Sequence, residues 1–425
     1  MSSLAQALES NKFVITAEIG PAKGSDISEV TEMAELLKDQ IDAANVTDLQ
    51  SSVMRLGSLA TCHILKEHGL DPIFQLTCRD RNRLAIQSDL LSASVLGIQN
   101  VLALTGDYPS LGDHPHAKPV FDLDSVQLLW VIKRLQEGYD LAGNELKGKP
   151  IFYPGAVVKP ITDSEIQMDL QIIKMEKKAD LGAKFFQTQA VFDVPAFEKF
   201  MDRVSHINVP IIAGIIMLKS AKMAQYMNAN VAGVFVPDPI VERMEKAKTP
   251  EDRVKTSIDI AAELIEQLRP LVQGVHIMAL GWEQHIPTLL DAIGEKERRR
   301  RRRRILVLDA DDEFRRKIEK LCTHRYEVSF ALNRADGLEK VEELSPDLIV
   351  LGVLDRPEES ASFCRQVKRD PKYAGIPVLV VDAPPTERRT RSWRRADGMT
   401  LEAEDYIARP IPDAALIAHI EELVR

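Results

Sequence analysis

Two carboxylates follow apolar segments in a way that suits acid–base chemistry. Glu18 closes the apolar run 13–18 and is followed by Ile19, Gly20 and Pro21, so it stands where a strand would turn. Burial in such a position raises the pKa of a carboxyl group, which suits a proton donor. Asp107 follows a glycine, which lets the backbone approach a ligand closely. Taken singly, each carboxylate fits a cap, an ion pair or a plain turn equally well.

Eight short apolar runs alternate with longer amphipathic stretches over the first two-thirds of the chain. Strands separated by helix-length segments in this number match an α/β fold of the (β/α)8 type, the TIM barrel. A doubly wound sheet is the alternative, but the glycine-rich fingerprint of a dinucleotide fold is not found. The runs are Phe13–Glu18, Asp42–Thr47, Ile73–Thr77, Val101–Leu104, Ile151–Val157, Lys184–Thr188, Pro210–Ile216 and Val275–Ala279.

A barrel gathers the carboxyl ends of its strands at one mouth, so polar residues at those ends need an explanation. Glu18 and Thr47 end the first two runs, and Asp107 follows the fourth. Gln189 comes just after the sixth run, and Tyr153 lies within the fifth. We therefore expect two carboxylates, Glu18 and Asp107, to converge on one mouth.

The bulk composition excludes several classes of function. The formal net charge of −9 argues against nucleic acid as the main partner, since phosphate binding needs a basic surface. Four cysteines occur without a Cys-x-x-Cys pair, which predicts reduced thiols rather than a zinc cluster or disulfides. No apolar stretch is long enough for a membrane span, and residues 1–12 lack an apolar signal core, so we expect a cytoplasmic protein. His114 and His116 have no third ligand nearby, which favours a solvated loop over a metal site.

The chain divides at a charged segment. An unbroken run of arginines from Arg298 to Arg304 follows Glu295, Lys296 and Glu297, and a block of like charge cannot sit in a core. We expect a barrel domain at 1–294, an arginine-rich linker at 295–304 and a second domain at 305–425. The run could attract RNA, an anionic membrane surface or an acidic partner, but the acidic surroundings favour a solvated linker.

Five strand-like runs interleaved with helical segments follow the linker, at 305–309, 326–331, 347–351, 377–381 and 405–410. This pattern predicts a small doubly wound, five-stranded sheet of the flavodoxin type. Pro346 and Asp347 lead into the third run, and Arg409-Pro410 ends the fifth. With these landmarks the segment resembles a response-regulator receiver domain.

The residues that such a domain uses for phosphorylation are replaced here. Gly352 stands where the resemblance places the phosphoacceptor aspartate, and Ala310 follows Asp309 where it places a magnesium-binding acidic pair. Asp382 stands at the switch hydroxyl position and Arg409 at the lysine position. The resemblance thus implies a pseudo-receiver.

One alternative for this domain is a displaced phosphoacceptor at Asp355, three residues late on the following loop. The pseudo-receiver reading is favoured, with a role in docking or dimerisation. A basic stretch with one aromatic residue could then form a contact surface for an anionic protein partner. It contains Arg388, Arg389, Arg391, Trp393, Arg394 and Arg395.

The barrel segment carries motifs that resemble the methylenetetrahydrofolate reductase family over residues 11–292. They occur in the order of the predicted strands, and the chain most resembles the short, barrel-only microbial form. The motifs are Thr16-Ala17-Glu18, Val46-Thr47, Gln75-Leu76-Thr77-Cys78, Ala103-Leu104-Thr105-Gly106-Asp107, Tyr153-Pro154, and the stretch from Asp180 through Phe186 and Gln189 to Asp193.

The resemblance implies a bound flavin, FAD with FMN as the alternative. The flavin gives a hydride to the methylene carbon between two folate nitrogens and so converts 5,10-methylenetetrahydrofolate to 5-methyltetrahydrofolate. Glu18 occupies the family's general-acid position, from which it protonates the departing nitrogen. Asp107 occupies the position that touches both flavin and folate, where a negative charge stabilises the developing cation.

The resemblance also implies supporting contacts. Gln189 matches the glutamine that hydrogen-bonds the pterin edge, and Tyr153 and Lys178 match flavin contacts, with Lys178 suited to a phosphate. The remaining expected flavin-lining residues are Thr47, Gln75, Thr105 and Gly106.

The sequence departs from the family at several of these places. Gln75 stands where many members have histidine, and Thr105 where many have arginine. Met223 and Met227 fall roughly where others place a folate-binding glutamine and phenylalanine. The resemblance therefore predicts no particular folate contact from that segment.

We thus expect an enzyme of one-carbon metabolism and methionine biosynthesis, with folate as substrate and no metal. Its electron donor would be NAD(P)H or a partner redox protein, and the chain would form a homo-oligomer. The alternative is a non-catalytic folate-binding regulatory or scaffold protein, which would not need the acid Glu18. Another barrel enzyme such as an aldolase would require a Schiff-base lysine or a metal cluster at the strand ends, and neither is found.

Overall fold

The structure is a computed structural model that describes residues 2–10, 12–162, 164–231, 233–295, 303–323, 326–354, 357–383 and 403–424. It divides into two compact units, Met1–Glu297 and Arg298–Arg425. Most of the expected arginine linker, the alternative acceptor Asp355 and the basic stretch 388–395 lie outside the described residues.

The first unit is a closed barrel of eight parallel strands, which confirms the predicted fold. The barrel closes because β1 pairs with both β2 and β8, through Thr16 opposite Ala43 and Val14 opposite Gly274. Every predicted run overlaps one strand. The strands are β1 (Val14–Ile19), β2 (Ala43–Val46), β3 (Pro72–Thr77), β4 (Asn100–Leu104), β5 (Tyr153–Val158), β6 (Phe185–Ala190), β7 (Ile211–Ile216) and β8 (Gly274–Met278).

Helices cover the outside of this barrel. Apolar residues at alternate positions of each strand, such as Ile15, Ala17 and Ile19 on β1, pack beneath them. The helices are α1 (Ser3–Glu9), α2 (Ser28–Leu37), α3 (Ser58–Glu67), α4 (Arg83–Val95), α5 (Ser125–Glu137), α6 (Glu165–Asp180), α7 (Val194–Val204), α8 (Ala221–Asn230), α9 (Asp238–Lys246), α10 (Pro250–Leu268) and α11 (Ile286–Ala292).

Helix α1 closes the lower end of the barrel, where the strands begin. Leu4 and Leu8 are buried in one cluster with strand residues such as Val14 and Phe185. Ser2 caps the helix and also donates a 2.6 Å hydrogen bond from Oγ to Asn100 Oδ1 at the start of β4. The lower end is therefore filled with apolar side chains.

A polar layer lies above this apolar plug inside the barrel. The amides of Asn45 and Gln187 hydrogen-bond to each other at 2.7 and 3.0 Å. Thr16 Oγ1 lies 3.0 Å from Nδ1 of His276. Burial lowers the pKa of His276 to about 4, so the imidazole is neutral at physiological pH.

The second unit is a five-stranded parallel sheet in the order β10-β9-β11-β12-β13. This order is that of a flavodoxin-type, doubly wound sheet, as predicted. Apolar clusters cover both faces. The elements are β9 (Arg304–Leu308), α12 (Asp312–Cys322), β10 (Glu327–Ala331), α13 (Arg334–Leu344), β11 (Leu348–Leu351), α14 (Pro357–Arg369), β12 (Val378–Asp382), β13 (Asp405–Ala408) and α15 (Asp413–Leu423).

Within the described ranges, no helix is both long and apolar enough to cross a membrane. All four cysteines are buried, and none of them forms a disulfide bond within the described ranges.

Candidate active site

A cavity of about 440 Å³ opens at the carboxyl ends of the barrel strands. It collects polar side chains from β1 to β6 and from α6. Of the residues predicted from the sequence, Glu18, Thr47, Gln75, Thr105, Gly106, Asp107, Lys178 and Gln189 all line it. The two carboxylates that are far apart in the sequence therefore share one site.

Tyr153 is not part of this cavity. It is the first residue of β5, so it lies at the lower end of the barrel, in the apolar cluster that contains α1. Its ring stacks on Phe185 with centroids 5.9 Å apart, and burial raises its pKa to about 12. The upper end of β5 instead supplies Val157 and Lys159 to the cavity. The expected flavin contact at Tyr153 is thus corrected, because the Tyr-Pro pair starts this strand and does not end it.

Glu18 is almost fully buried, with 8% of its surface exposed. Burial raises the pKa of its carboxyl group to about 7, and the charge of Glu283 adds to this effect. A hydrogen bond from Gln50 Nε2 to Glu18 Oε1, at 3.0 Å, acts in the opposite direction. Glu18 can therefore gain or lose a proton near neutral pH.

Gln50 is held by a strained loop between β2 and α3. Leu49, Ser51 and Ser52 have φ angles of 50°, 52° and 58°, a left-handed conformation that is costly for residues with a side chain. Sequence reasoning missed Gln50, since no turn signature marks these residues. Strain of this kind persists only where the surroundings enforce it.

Contacts of Ser52 link this loop to the loop that carries Asp107. Its hydroxyl donates to the backbone oxygens of Asp107 and Tyr108, at 3.2 and 3.1 Å. Arg79, which is buried, donates from Nη1 to Ser52 Oγ at 3.1 Å. Ser52 thus links the loop that holds Gln50, the hydrogen-bond partner of Glu18, to the loop that holds Asp107.

Gly106 adopts φ +94°, and a Cβ there would lie 3.0 Å from Arg79 Cβ and 3.2 Å from Thr77 Cβ. A side chain at this position would be strained by the positive φ and would press on both neighbours, so glycine is favoured here. Asp107 follows it and is exposed at the rim of the cavity, whereas Glu18 is buried. The two carboxylates therefore sit in contrasting environments.

The hydroxyls at the strand ends differ in their partners. Thr105 Oγ1 accepts a hydrogen bond of 3.1 Å from the backbone N–H of Ser125, at the start of α5. Thr47 Oγ1 is buried without a hydrogen-bond partner in the described part of the chain. A buried hydroxyl of this kind fits a site that a ligand completes.

One side of the cavity is basic. Lys178 is buried on α6 and donates from Nζ to the carbonyl oxygen of Val157 at 2.8 Å. The pKa of Lys178 is lowered to about 8. Burial is the main cause, the charge of Lys174 acts in the same direction, and the charge of Asp124 opposes both. Lys159 and Lys174 also line the cavity, and a smaller adjoining cavity of about 150 Å³ contains both.

Lys159 and Lys174 were not among the predicted site residues. The four-residue spacing of Lys174 and Lys178 places both on one face of α6, a signal that the sequence did contain. Three amines close together suit an anionic group such as a phosphate.

Other candidates from the sequence lie elsewhere. Met223 and Met227 on α8 do not line this cavity. His114 pairs with Asp113 at 2.8 Å. Among the residues that the structure describes, no group of three potential metal ligands is found.

In the second unit, the place of a phosphoacceptor is filled by an ion pair. Gly352 directly follows β11, and a Cβ on it would overlap Asp309 Oδ2. Arg409 pairs with the buried Asp309 and, at 2.9 Å, with Asp311. Asp382 accepts a hydrogen bond from the hydroxyl of Tyr406.

Comparison with known proteins links the two units to different relatives. A family model described as "Methylenetetrahydrofolate reductase" matches residues 3–294. "5,10-methylenetetrahydrofolate reductase" of Pectobacterium carotovorum is 26% identical over 63% of this chain and 85% of that protein. "Response regulator PleD" of Caulobacter vibrioides is 32% identical over 28% of this chain and 26% of that protein.

A eukaryotic relative is longer than this chain. "Methylenetetrahydrofolate reductase 2" of Schizosaccharomyces pombe is 25% identical over 54% of this chain and 36% of its own length. The match therefore spans about a third of that relative.

Proposed function

The chain belongs to the methylenetetrahydrofolate reductase family, and on this premise we propose that its barrel is a flavin-dependent oxidoreductase that reduces 5,10-methylenetetrahydrofolate to 5-methyltetrahydrofolate. The observation that carries the proposal is the buried acid Glu18, whose pKa is about 7, in one cavity with Asp107. An acid of this pKa is protonated often enough to donate near neutral pH.

The residues of the cavity fit a flavin. The hydroxyl of Thr47, which has no partner among the described residues, offers a hydrogen bond, and Gly106 lines the same cavity. Lys159, Lys174 and Lys178 suit the phosphates. Because Lys159 and Lys174 also line the smaller adjoining cavity, we favour FAD, whose second phosphate and adenosine would need this additional space, over FMN.

The chemistry assigns a separate task to each polar residue. A bound flavin supplies the hydride that reduces the one-carbon unit. The product keeps its carbon on N5, so the bond from the methylene carbon to N10 must break, and Glu18 gives its proton to N10. Asp107 stabilises the cation that develops on the N5 side, and Gln189 hydrogen-bonds the pterin. The hydride and the proton together balance the reaction.

The test is a flavin spectrum of the purified chain, followed by anaerobic addition of 5-methyltetrahydrofolate. We expect the purified chain to contain bound flavin, and its absorbance near 450 nm should be lost as each flavin accepts about one electron pair. The folate can supply these electrons because the proposed hydride transfer is reversible. Glu18→Gln should retain the flavin and lose the bleaching. Bound flavin that does not bleach in the native chain would sink the reductase proposal in favour of a folate-binding regulatory protein.

The electron donor can be assigned with the same preparation. NADH, NADPH or a reduced redox protein is added to the oxidised flavoprotein under anaerobic conditions. The compound that reduces the flavin at least as fast as the steady-state turnover identifies the physiological class of reductant.

We further propose that the second unit is a pseudo-receiver that serves as an interaction module. The Asp309–Arg409 pair and Gly352 together support this, because they leave no carboxylate at the end of β11. Acetyl phosphate should leave this unit unlabelled in intact-mass spectrometry. A phosphoaspartate, at Asp355 or elsewhere, would refute the proposal.

A further inference from the structure

Three neighbouring helices on the outside of the barrel expose large apolar side chains. α5 contacts both α4 and α6 in the ring of helices. Val95 is 87% exposed, and Leu84 and Ile166 are each 74% exposed. The outward side of a surface helix is normally polar, so this pattern needs an explanation. The residues, which we call the apolar face, are Leu84, Leu91 and Val95 of α4, Trp130 of α5, and Ile166, Leu170 and Ile173 of α6.

Helix α4 is apolar on two opposite sides. One side is buried against the barrel, through residues such as Leu90. The opposite side carries a row of exposed, uncharged residues at helical spacing, which are Leu84, Ser88, Leu91 and Val95. A helix that is apolar on both sides is typical of one that packs on both sides.

The apolar face is large for a single chain. Its side chains together expose roughly 700 Å², if a fully exposed side chain of this size presents about 200 Å². The largest apolar patch of a typical monomer covers about 300–600 Å². A stable interface buries about 800 Å² on each partner. The apolar face thus has the size of one side of a dimer interface.

The charges beside the apolar face have both signs. Glu165 and Asp169 are exposed near the start of α6, and Lys174 and Lys177 are exposed towards its end. Two α6 helices that pack antiparallel would place the acidic end of each beside the basic end of the other. Arg203 already contacts both acids, so these charges set the orientation more than the affinity. The pattern suits a second copy of the same face better than a partner of one sign.

We propose that the apolar face binds the same face of a second copy of this chain about a two-fold axis. In such an interface the same surface patch contacts itself. α5 is the middle helix of the three, and Trp130 lies near the middle of α5, so the axis passes close to Trp130. A tryptophan at the centre of an interface is typical of the residues that contribute most to binding.

This interface is independent of the reaction proposed for the barrel. Glu18 and Asp107 lie at the mouth, where the strands end. The apolar face points outward from the ring of helices, on the side of α6 opposite to the buried Lys178. Two copies joined in this way keep both mouths open.

The first test is the mass of the full chain in sedimentation velocity. We expect the native chain to be a dimer. Leu170→Glu should weaken association at least about tenfold, because each copy then buries a carboxylate in the interface. Leu332→Glu is the matched control in the second unit, since Leu332 is 52% exposed and Leu170 is 53% exposed. It should keep the native mass, and far-ultraviolet circular dichroism shows that both variants are folded.

The second test locates the two-fold axis by cross-linking. The four native cysteines are buried, so a cysteine introduced at the surface is the reactive one. Lys133→Cys, one turn from Trp130 on the exposed side of α5, should be joined to its copy by a short bismaleimide. Leu332→Cys should stay single. Equal cross-linking of the two variants would refute the two-fold axis at α5.

Two results of the sedimentation test would overturn the proposal. One is a native chain that sediments as a monomer. The other is a Leu170→Glu chain with the native mass. If Leu332→Glu dissociates the native dimer and Leu170→Glu does not, the interface lies in the second unit and the apolar face is not the dimer contact.

Discussion

The amide of Gln50 donates a 3.0 Å hydrogen bond to the carboxylate of Glu18. Burial favours the neutral acid, whereas this hydrogen bond favours the carboxylate, and burial is the larger of the two effects. The pKa near 7 is the outcome of this competition. A loop with three left-handed residues holds Gln50 in position, so the protonation of the acid depends on backbone geometry outside the strand that carries it.

Removal of the Gln50 amide should raise the pKa of Glu18 further. We expect Gln50→Leu to shift the alkaline limb of folate reduction upward by roughly half to one pH unit, the equivalent of one hydrogen bond. Stopped-flow flavin oxidation measured over pH gives the midpoint. Gln225→Leu is the matched control, since it removes a 3.1 Å hydrogen bond from Gln225 to Glu245 on the outside of the barrel. Equal midpoints in all three proteins would contradict this role of Gln50.

The pH dependence should invert with the direction of the reaction. In the proposed reaction, reduction of methylenetetrahydrofolate needs the protonated form of Glu18, so its rate should fall as the pH rises through about 7. Oxidation of 5-methyltetrahydrofolate needs the carboxylate to accept the proton, so that rate should rise through the same range. Single-turnover rates in both directions check this. Parallel profiles in the two directions would exclude Glu18 as the proton donor.

Gly106→Ala should weaken both stability and flavin binding. The positive φ costs about 1 kcal/mol for alanine, and the new Cβ also presses on Arg79. Gly182→Ala provides a control with the same strain but no obstruction, since Gly182 has φ +98° and open space around its Cβ. Urea unfolding and flavin content distinguish the two. The same flavin content in both variants would show that the tight fit at Gly106 is irrelevant to the cofactor.

Lys178 should make flavin affinity depend on pH. Its amine loses its charge as the pH rises through about 8, so flavin should dissociate more readily in alkaline solution. Lys178→Met should bind flavin weakly at every pH, without this dependence. Lys177→Met removes a charge from the next residue, which is exposed on α6, and should behave like the native chain. Fluorescence titration with FAD and FMN gives the affinities.

Arg409→Gln should destabilise the second unit, because it leaves Asp309 buried without its cation. Loss of one partner of a buried pair costs about 3–5 kcal/mol. Arg316→Gln, which removes an exposed ion pair with Asp312, should have almost no effect. Urea unfolding of the full chain, followed by circular dichroism, measures both. A second substitution, Asp309→Asn, should restore part of the stability of Arg409→Gln.

The sequence predicts the strands well because each is a short run of apolar residues between longer amphipathic stretches. It places Glu18 and Asp107 together because all strands of a barrel run in one direction. It fails at Tyr153, since a two-residue motif does not tell which end of a strand it occupies. It does not reveal Gln50 either, because that contact depends on backbone angles that no local residue type signals. The sequence also does not predict that the Asp309–Arg409 ion pair fills the space beside Gly352, because this pair joins residues far apart in the chain.

The apolar plug at the lower end of the barrel has a kinetic consequence. Because α1 fills that end, substrates and products have to pass through the mouth where the strands finish. In the proposed reaction, a folate in this mouth would obstruct the approach of the reductant to the flavin, and a bound reductant would obstruct the folate. Reductant and folate would then bind one after the other, and the reduced flavin would hold the electron pair in the interval. Turnover would therefore proceed as two successive half-reactions.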